Sequence, residues 1–184
     1  MPAAKRISKE AIIDAAEAVL RTGGFEAINA RSVAKALGCS TQPIYLTFRN
    51  MEELKSALTQ RAIEQHTRRV RASLRAHEGC DSRYSSYGMG FVQFAAQEKQ
   101  LFRWLYLEDN QPGRHQEDVL EPEIIRTVMD EFGYDEVTAR AFHRDMTYYS
   151  YGLAILANTG HLALTETELR EAFRREFRAL AAYY

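Results

Sequence analysis

The sequence lacks the long apolar segments that a membrane protein needs. Its mean hydropathy is −0.40, and no apolar run approaches the roughly 18 residues that span a bilayer. Residues 1–13 carry charges throughout and have no apolar core of a signal peptide. We therefore expect a cytoplasmic protein with no membrane partner.

Cysteine is scarce, and motifs for catalysis or metal binding are missing. The two cysteines, Cys39 and Cys80, have no CxxC spacing, and a cytoplasmic protein keeps such residues as thiols. The five histidines form no HExxH or HxxxH pattern, and His77 with Cys80 is at most a fragment of a metal site. No P-loop, Ser/His/Asp arrangement or pair of catalytic carboxylates stands out. The sequence predicts that the protein is not an enzyme and needs no cofactor or metal.

The chain also lacks the overall positive charge of many nucleic-acid-binding proteins, since its formal net charge is −1. Its charges are nevertheless unevenly distributed. Residues 1–50 hold seven basic against four acidic side chains, whereas the remainder holds 17 basic against 21 acidic ones. A positive N-terminal part attracts phosphate groups, although a solvated charged surface accounts for the balance equally well.

Residues 29–50, NARSVAKALGCSTQPIYLTFRN, contain two short helix patterns joined by a tight turn. Asn29 is a suitable N-cap for the first helix, and Gly38 can end it in the left-handed conformation. Ser40 is the expected N-cap of the second helix, with Pro43 in its first turn. This is the layout of a helix-turn-helix, in which the second helix enters a DNA groove.

A third short helix precedes this pair. Ser8 can cap it, its apolar residues recur on one face, and Gly23 with Gly24 can end it. The three helices are therefore expected to share one small core.

These residues resemble the TetR-like transcriptional regulators of bacteria. The resemblance runs from about Ser8 to Leu58 and rests on the joint order and spacing of several features. They are an alanine-rich first helix, Gly-Phe-Glu-Ala at 24–27, Arg31, Val33-Ala34, Gly38, Ser40, Ile44-Tyr45, Phe48 and Glu52-Glu53-Leu54. The resemblance implies an all-α fold. Residues 1–50 would form a three-helix, homeodomain-like helix-turn-helix DNA-binding domain, and residues 51–184 a helical ligand-binding and dimerisation bundle, with residues 51–75 as a connecting helix.

The expected DNA-binding residues lie in and around the second helix of the motif. Thr41 and Gln42 stand in its first turn, where base contacts are usually made, and the resemblance assigns Tyr45 a phosphate contact. The guanidinium of Arg31 suits a phosphate or a guanine edge. The full set is Arg31, Ser40, Thr41, Gln42, Tyr45, Leu46, Thr47, Arg49 and Lys55, with Lys5 and Arg6 in an N-terminal arm. A core position for Tyr45 and a solvated tail are the alternatives.

The chain departs from the commoner pattern of the family at three places. Thr41-Gln42-Pro43 replaces Lys-Gly-Thr, Leu46 stands where histidine is common, and Met51 replaces a lysine that binds phosphate. We therefore expect an unfamiliar operator sequence, and the phosphate contact at Met51 is in doubt. The alternative function is a helical ligand-binding or protein-interaction module that has lost DNA binding.

Capping signals predict several helices after the motif. They are Asn50 with Glu53 before the connecting helix, Gly133 after a short helix from Glu123, Asp135 before a long helix to about Asn158, and Thr165 with Glu168 before the last helix. Residues 110–122 have the composition of an exposed loop.

The resemblance also implies a small-molecule pocket in the C-terminal part. Aromatic rings would favour a flat, apolar or cationic effector. The candidate lining residues are Phe91, Phe94, Phe102, Trp104, Tyr106, Met146 and Tyr149, although each of them would also suit a core.

The last two long helices of relatives usually form the interface of a homodimer. The candidate interface residues here are Tyr151, Ile155, Phe173 and Phe177. The function implied is that of a sequence-specific regulator, usually a repressor, which binds a palindromic double-stranded DNA operator as a homodimer and is released by a small molecule.

Overall fold

The computed structural model describes residues 7–76, 82–107 and 120–184. These segments contain helices and no strand, which confirms the predicted all-α fold. The helices are α1 (Lys9–Gly23), α2 (Ala30–Leu37), α3 (Gln42–Thr47), α4 (Met51–Ala76), α5 (Arg83–Gln97), α6 (Lys99–Tyr106), α7 (Glu121–Phe132), α8 (Glu136–Thr159) and α9 (Glu166–Tyr183), with a 3-10 turn at Phe25–Ala27. Within the described segments, no helix combines the length and apolar character needed to cross a membrane.

Some predicted features lie outside the described residues. They are Lys5, Arg6, His77, Cys80 and the loop at residues 110–119. The end of that predicted loop is helical instead, because α7 begins at Glu121 and accommodates Pro122 in its first turn.

The described residues fall into two compact units. One is drawn from Met1–Glu64 and Glu98–Arg114, and the other from Gln65–Gln97 and His115–Tyr184. The helices α1, α2, α3 and α6 thus belong to the first unit, and α4 contributes residues to both. The boundary after residue 50 that the sequence predicts between a DNA-binding and a regulatory domain stays a prediction.

The first unit is built around the apolar face of α1. Ser8 caps this helix as predicted, since its Oγ accepts a hydrogen bond from the Ala11 N–H at 3.1 Å. Ile12, Ala16 and Leu20 then recur at four-residue spacing and are fully buried. This spacing gives α1 one continuous inward stripe.

The helix α6 completes the first unit through aromatic and polar contacts. The indole of Trp104 lies against the ring of Phe25, with centroids 4.6 Å apart, and its Nε1 donates to Thr59 Oγ1 at 3.0 Å. Near the start of α6, Glu98 pairs with Arg21 of α1 at 3.1 Å. These contacts attach α6 to α1 and to the first half of α4.

The second unit has α5 and α8 at its centre. Phe142 and Met146 of α8 are buried, and Asn158 Nδ2 near the end of this helix donates to the Ala95 carbonyl of α5 at 2.9 Å. The ring of Phe173 on α9 covers Gly88 of α5, where a Cβ would lie 2.5 Å from Phe173 Cε1. The absence of a side chain at this glycine therefore allows α5 and α9 to approach closely.

Most of the predicted caps are confirmed. Asp135 Oδ1 accepts from the Thr138 N–H at 2.8 Å, Thr165 and Glu168 form a capping box, and α7 ends at Gly133 in the left-handed conformation. The box before α4 is only half formed. Its Asn50 Oδ1 accepts from the Glu53 N–H at 2.9 Å, whereas the Glu53 carboxylate accepts from the Arg49 N–H.

Candidate nucleic-acid interface

The turn between α2 and α3 is set by local hydrogen bonds. Asn29 Oδ1 accepts from the N–H groups of Arg31 and Ser32 at 3.1 and 3.0 Å, so Asn29 caps α2 as predicted. Gly38 ends α2 with φ +67°, a left-handed conformation in which a Cβ would cause strain. The Cys39 N–H then bonds back to the Ala34 carbonyl at 3.0 Å, and the chain can begin α3 within a few residues.

The prediction that Ser40 is the N-cap of α3 is wrong. Thr41 occupies that position in helical backbone geometry, without a side-chain hydrogen bond to the helix. Pro43 lies in the first turn, where a missing N–H leaves no helical hydrogen bond unmade. Ser40 is exposed and Thr41 is half-buried.

The helix α3 has one buried and one exposed face. Ile44 and Phe48 are each 1% exposed and attach the helix to the core of the first unit. The opposite side carries Gln42, Tyr45 and Leu46, all exposed; we call these three residues the reading face. Tyr45 is 54% and Leu46 79% exposed, so Tyr45 is not a core aromatic. An amide, a phenol and an apolar side chain are thus presented together to solvent.

Basic side chains flank the reading face in different environments. Arg31 on α2 is exposed, and the side chain of Arg49 is 88% exposed although its Nε pairs with Glu53 at 3.1 Å. Lys55 is more enclosed, because its Nζ lies 4.6 Å from the centroid of the Phe25 ring and 3.2 Å from Glu52. Arg31 and Arg49 are therefore the better placed cations for a phosphate backbone.

The carboxylate of Glu53 partly compensates the charge of Arg49. Hydrogen bonds from the backbone and side chain of Arg49 lower the pKa of Glu53 below its ordinary value, so this group stays ionised at neutral pH. Thr47, also in the predicted set, is half-buried, and its hydroxyl donates to the Pro43 carbonyl at 3.0 Å.

The predicted ligand-binding residues are divided between the two units. Phe102, Trp104 and Tyr106 belong to the first unit, where Phe102 and Trp104 are buried. The second unit contains Phe91, Phe94, Met146 and Tyr149. Phe91, Phe94 and Met146 are buried there, and Tyr149 is half-buried with its hydroxyl donating to the Ala172 carbonyl at 3.3 Å.

The structure adds His66 to the aromatic group of the second unit. Its ring centroid lies 4.6 Å from that of Phe94 and 6.2 Å from that of Phe91, and the tilted ring of Tyr151 lies 4.9 Å from that of Phe91. Burial, together with the charge of Arg69, lowers the pKa of His66 to about 4, so the imidazole is neutral at neutral pH. The sequence carried a signal for this position, because Leu58, Ala62 and His66 recur every four residues on the inward side of α4.

The predicted dimer residues differ in exposure. Ile155 is 39% exposed, and Tyr151 is half-buried. Phe173 is 2% exposed, and Phe177 packs on Phe132 and Phe142 within the second unit. Phe173 therefore has almost no side-chain surface left to offer a second copy, and the interface prediction for it lacks support from its exposure.

No group of three or more His, Cys, Asp or Glu side chains suited to a metal ion occurs within residues 7–76, 82–107 and 120–184. The chemistry that the described first unit offers is hydrogen bonding, apolar contact and positive charge around α3.

Part of the first unit matches a known protein family. Residues 12–58 match the family model described as bacterial regulatory proteins, tetR family. No curated protein sequence is significantly similar to the chain.

Solved structures share the fold along nearly the whole chain. A protein of unknown function from Rhodococcus sp. RHA1 is 18% identical, with a TM-score of 0.70, and the alignment covers 95% of this chain and 93% of that one. A TetR-family member from Streptomyces coelicolor A3 is 20% identical, with a TM-score of 0.60 and coverage of 94% and 98%. The multidrug binding protein EbrR, solved with malachite green, is 17% identical, with a TM-score of 0.57 and coverage of 94% and 96%.

The family match covers α2, α3 and the turn between them, which carry the reading face. The helix-turn-helix geometry and the family match over residues 12–58 identify a TetR-like helix-turn-helix domain at the N-terminus, and the fold shared with the solved structures adds a C-terminal helical domain, so that the chain is a DNA-binding transcriptional regulator.

Proposed function

We propose that this regulator is a repressor that binds a palindromic DNA operator as a homodimer and is released by a small aromatic or cationic molecule. The observation that carries the proposal is the reading face, Gln42, Tyr45 and Leu46, which is held toward solvent by the buried Ile44 and Phe48. Because the proposed partner is a double-stranded DNA operator, we propose a cytoplasmic location.

The proposed DNA contacts follow from side-chain chemistry. Gln42 stands at the start of α3, and its amide suits the N6 and N7 edge of adenine in the major groove. The Tyr45 hydroxyl and the Arg31 and Arg49 guanidinium groups suit phosphate oxygens. Ser40, Thr41 and the half-buried Thr47 border this surface, and Lys55 approaches it least because of its contact with Phe25.

The homodimer is supported by an exposed apolar stripe on α8. Tyr148 is 67%, Ile155 39% and Leu156 44% exposed, and Gly152 lies between them with no atom within 4 Å of a Cβ built on it. These positions recur at helical spacing and thus share one face. A two-fold axis would set two copies of α3 about 34 Å apart, which matches successive major grooves on one side of the duplex.

The effector site is proposed in the second unit around Phe91, Phe94 and His66. A neutral imidazole adds no charge of its own, and the surrounding rings offer faces to an aromatic or cationic ligand. The Arg69 guanidinium lies 6.0 Å from the centroid of the Phe94 ring, which favours the neutral aromatic class at that ring. The similarity to EbrR, described as complexed with malachite green, supports a ligand of this class.

Selection of bound duplexes from a random library tests the DNA-binding part. We expect enrichment of an inverted repeat whose halves are one helical turn apart, because two copies of α3 bind together. If no sequence is enriched at low or moderate salt, even after any co-purified ligand is stripped, the protein is instead a ligand-binding or protein-interaction module.

A panel of aromatic cations and neutral aromatics of similar size tests the effector part. We expect at least one compound to raise the melting temperature and to release the selected duplex at the same concentrations, since ligand binding to the folded state stabilises it. A Phe94→Ala variant should lose the response, whereas Phe102→Ala, which lies in the first unit, serves as the comparison. A panel that neither stabilises the protein nor releases DNA contradicts this part of the proposal.

A further inference from the structure

Leu46 is the aliphatic side chain of the reading face, whose other two members, Gln42 and Tyr45, carry polar groups. It is 79% exposed, lies next to Tyr45 in sequence, and stands one helical turn after Gln42. Scattered exposed apolar residues are normal on proteins. Leu46 lies on the reading face, opposite Ile44 and Phe48, so in a DNA complex we expect its side chain to face the DNA.

The groups that DNA presents to a major-groove helix limit what Leu46 can contact favourably. Phosphate oxygens need a donor or a positive charge, and leucine supplies neither. The base edges present hydrogen-bond donors and acceptors, with one apolar exception, the C5-methyl group of thymine. An aliphatic side chain held in the groove therefore has one matching chemical group on unmodified DNA.

The neighbouring residues place Leu46 near the base edges. Gln42 and Leu46 are four residues apart, which corresponds to about 6 Å along a helix, and base pairs are about 3.4 Å apart. The two side chains therefore reach base pairs within about two steps of each other. The Thr47 hydroxyl is engaged with the Pro43 carbonyl, and the Tyr45 hydroxyl is assigned to a phosphate, which leaves Leu46 as the second-turn side chain to meet the base edges beside Gln42.

We propose that Leu46 reads a thymine by packing on its C5-methyl group, so that each half of the operator contains a thymine that this residue requires. The inference rests on the proposed function, because it needs a specific operator. It assigns Leu46 a role in specificity rather than in general attraction to DNA.

The test replaces each thymine of the selected operator by deoxyuridine, which pairs identically but lacks the methyl group. Affinities are measured by fluorescence anisotropy for the intact protein. The loss of one buried carbon is worth about 0.8 kcal/mol, so replacement of the contacted thymine in one half-site should weaken binding about fourfold, and in both half-sites about fifteenfold. Replacement of other thymines should have little effect.

The Leu46→Ala variant connects the methyl group to this residue. It should bind the thymine operator more weakly than the wild type and should no longer distinguish thymine from deoxyuridine at that position, as a double-mutant cycle measures. Val137→Ala is the matched control, since Val137 is also 79% exposed but lies on α8 in the second unit. It should keep the wild-type preference.

The outcomes separate the two proposals. If an operator is selected but no deoxyuridine substitution weakens binding, the inference about Leu46 is overturned while the proposed function stands. The same holds if Leu46→Ala retains the full preference for thymine, because another residue then reads the methyl group. If no operator is selected, the proposed function fails and this inference fails with it.

Discussion

At the scale of single residues, His66 makes the second unit sensitive to mild acid. Its pKa is about 4 because it is buried, whereas in the unfolded chain it is near 6.5. As the pH falls from 6.5 towards 4, the unfolded state binds the proton first, and the folded state loses relative stability. The expected loss approaches about 3 kcal/mol at the acid end of this window.

Urea unfolding at a series of pH values between 7 and 4.5 measures this effect. A His66→Leu variant should show a flatter dependence of the free energy of unfolding on pH. Val70→Ala, a buried change on the same helix that removes no titratable group, is the control and should keep the wild-type dependence. Four carboxylates have a pKa lowered by hydrogen bonds, and their contribution is lost as the pH falls through their ordinary values of 4.5 and 3.8, at the acid end of this series and below it. They are Glu53, Asp135, Asp145 and Glu168. An unchanged slope in His66→Leu would contradict the assignment.

A second prediction at this scale concerns the buried hydrogen bond between Trp104 Nε1 and Thr59 Oγ1. The change Thr59→Val removes the acceptor and leaves the indole N–H without it in an apolar environment. We expect a loss of about 1–3 kcal/mol in the free energy of unfolding. Thr59→Ser keeps the hydroxyl group and should lose clearly less. Fluorescence of Trp104, the single tryptophan of the chain, reports the unfolding directly, and equal stability of the Val and Ser variants would contradict the role of this bond.

At the scale of secondary structure elements, the contact between α5 and α9 depends on the absence of a side chain at Gly88. A Cβ there would lie 2.5 and 2.9 Å from two ring atoms of Phe173, which is 2% exposed. Gly88→Ala should therefore destabilise the fold by about 1–3 kcal/mol, although alanine is the better helix former.

Thermal and urea unfolding measure this change, with two comparisons. Gly152→Ala, where a Cβ meets no atom within 4 Å, should be neutral or slightly stabilising. The double variant Gly88→Ala with Phe173→Leu should show a favourable coupling relative to the two single changes. If Gly88→Ala is as stable as the wild type, the two helices are not packed as closely as described.

The sequence predicts those elements whose limits depend on short-range chemistry. Ser8, Asn29, Asp135 and Thr165 cap helices as expected because each bond joins residues two or three positions apart. Ser40 is the exception. The N-cap of α3 is Thr41, one residue later than predicted, and its side chain makes no capping hydrogen bond.

Other features depend on partners distant in sequence and could not be read from local patterns. The break between α5 and α6 at Glu98 has no glycine or proline to mark it, and this residue pairs with Arg21, 77 positions away. The sequence pattern of Phe102, Trp104 and Tyr106 likewise does not reveal which helix these residues pack against. Its assignment to the first unit follows from contacts with Phe25 and Thr59. The reading face was predictable because its exposed and buried positions follow from helical periodicity alone.

At the scale of the whole molecule, the proposed homodimer depends on the apolar stripe of α8. A charge within this stripe should prevent association, because it would have to be buried without a partner. We expect Leu156→Glu to shift the protein from dimer to monomer in analytical ultracentrifugation and to weaken operator binding through loss of the second half-site.

Ala72→Glu introduces the same charge at an exposed apolar position of α4, outside the stripe of α8, and should leave the dimer intact. If the Leu156→Glu variant sediments as the wild type does, the copies associate through another surface or do not associate at all.

If the whole molecule acts as a DNA-binding regulator, its affinity for the operator must depend on the reading face of α3. The most direct measurement is the dissociation constant of the selected operator for the wild type, for Tyr45→Phe and for the control Val137→Ala. Loss of one hydroxyl contact to phosphate is worth about 1 kcal/mol, so Tyr45→Phe should bind about fivefold more weakly per half-site, and Val137→Ala should match the wild type. Equal affinity of all three proteins would contradict the assignment of Tyr45 on the reading face to the DNA contact.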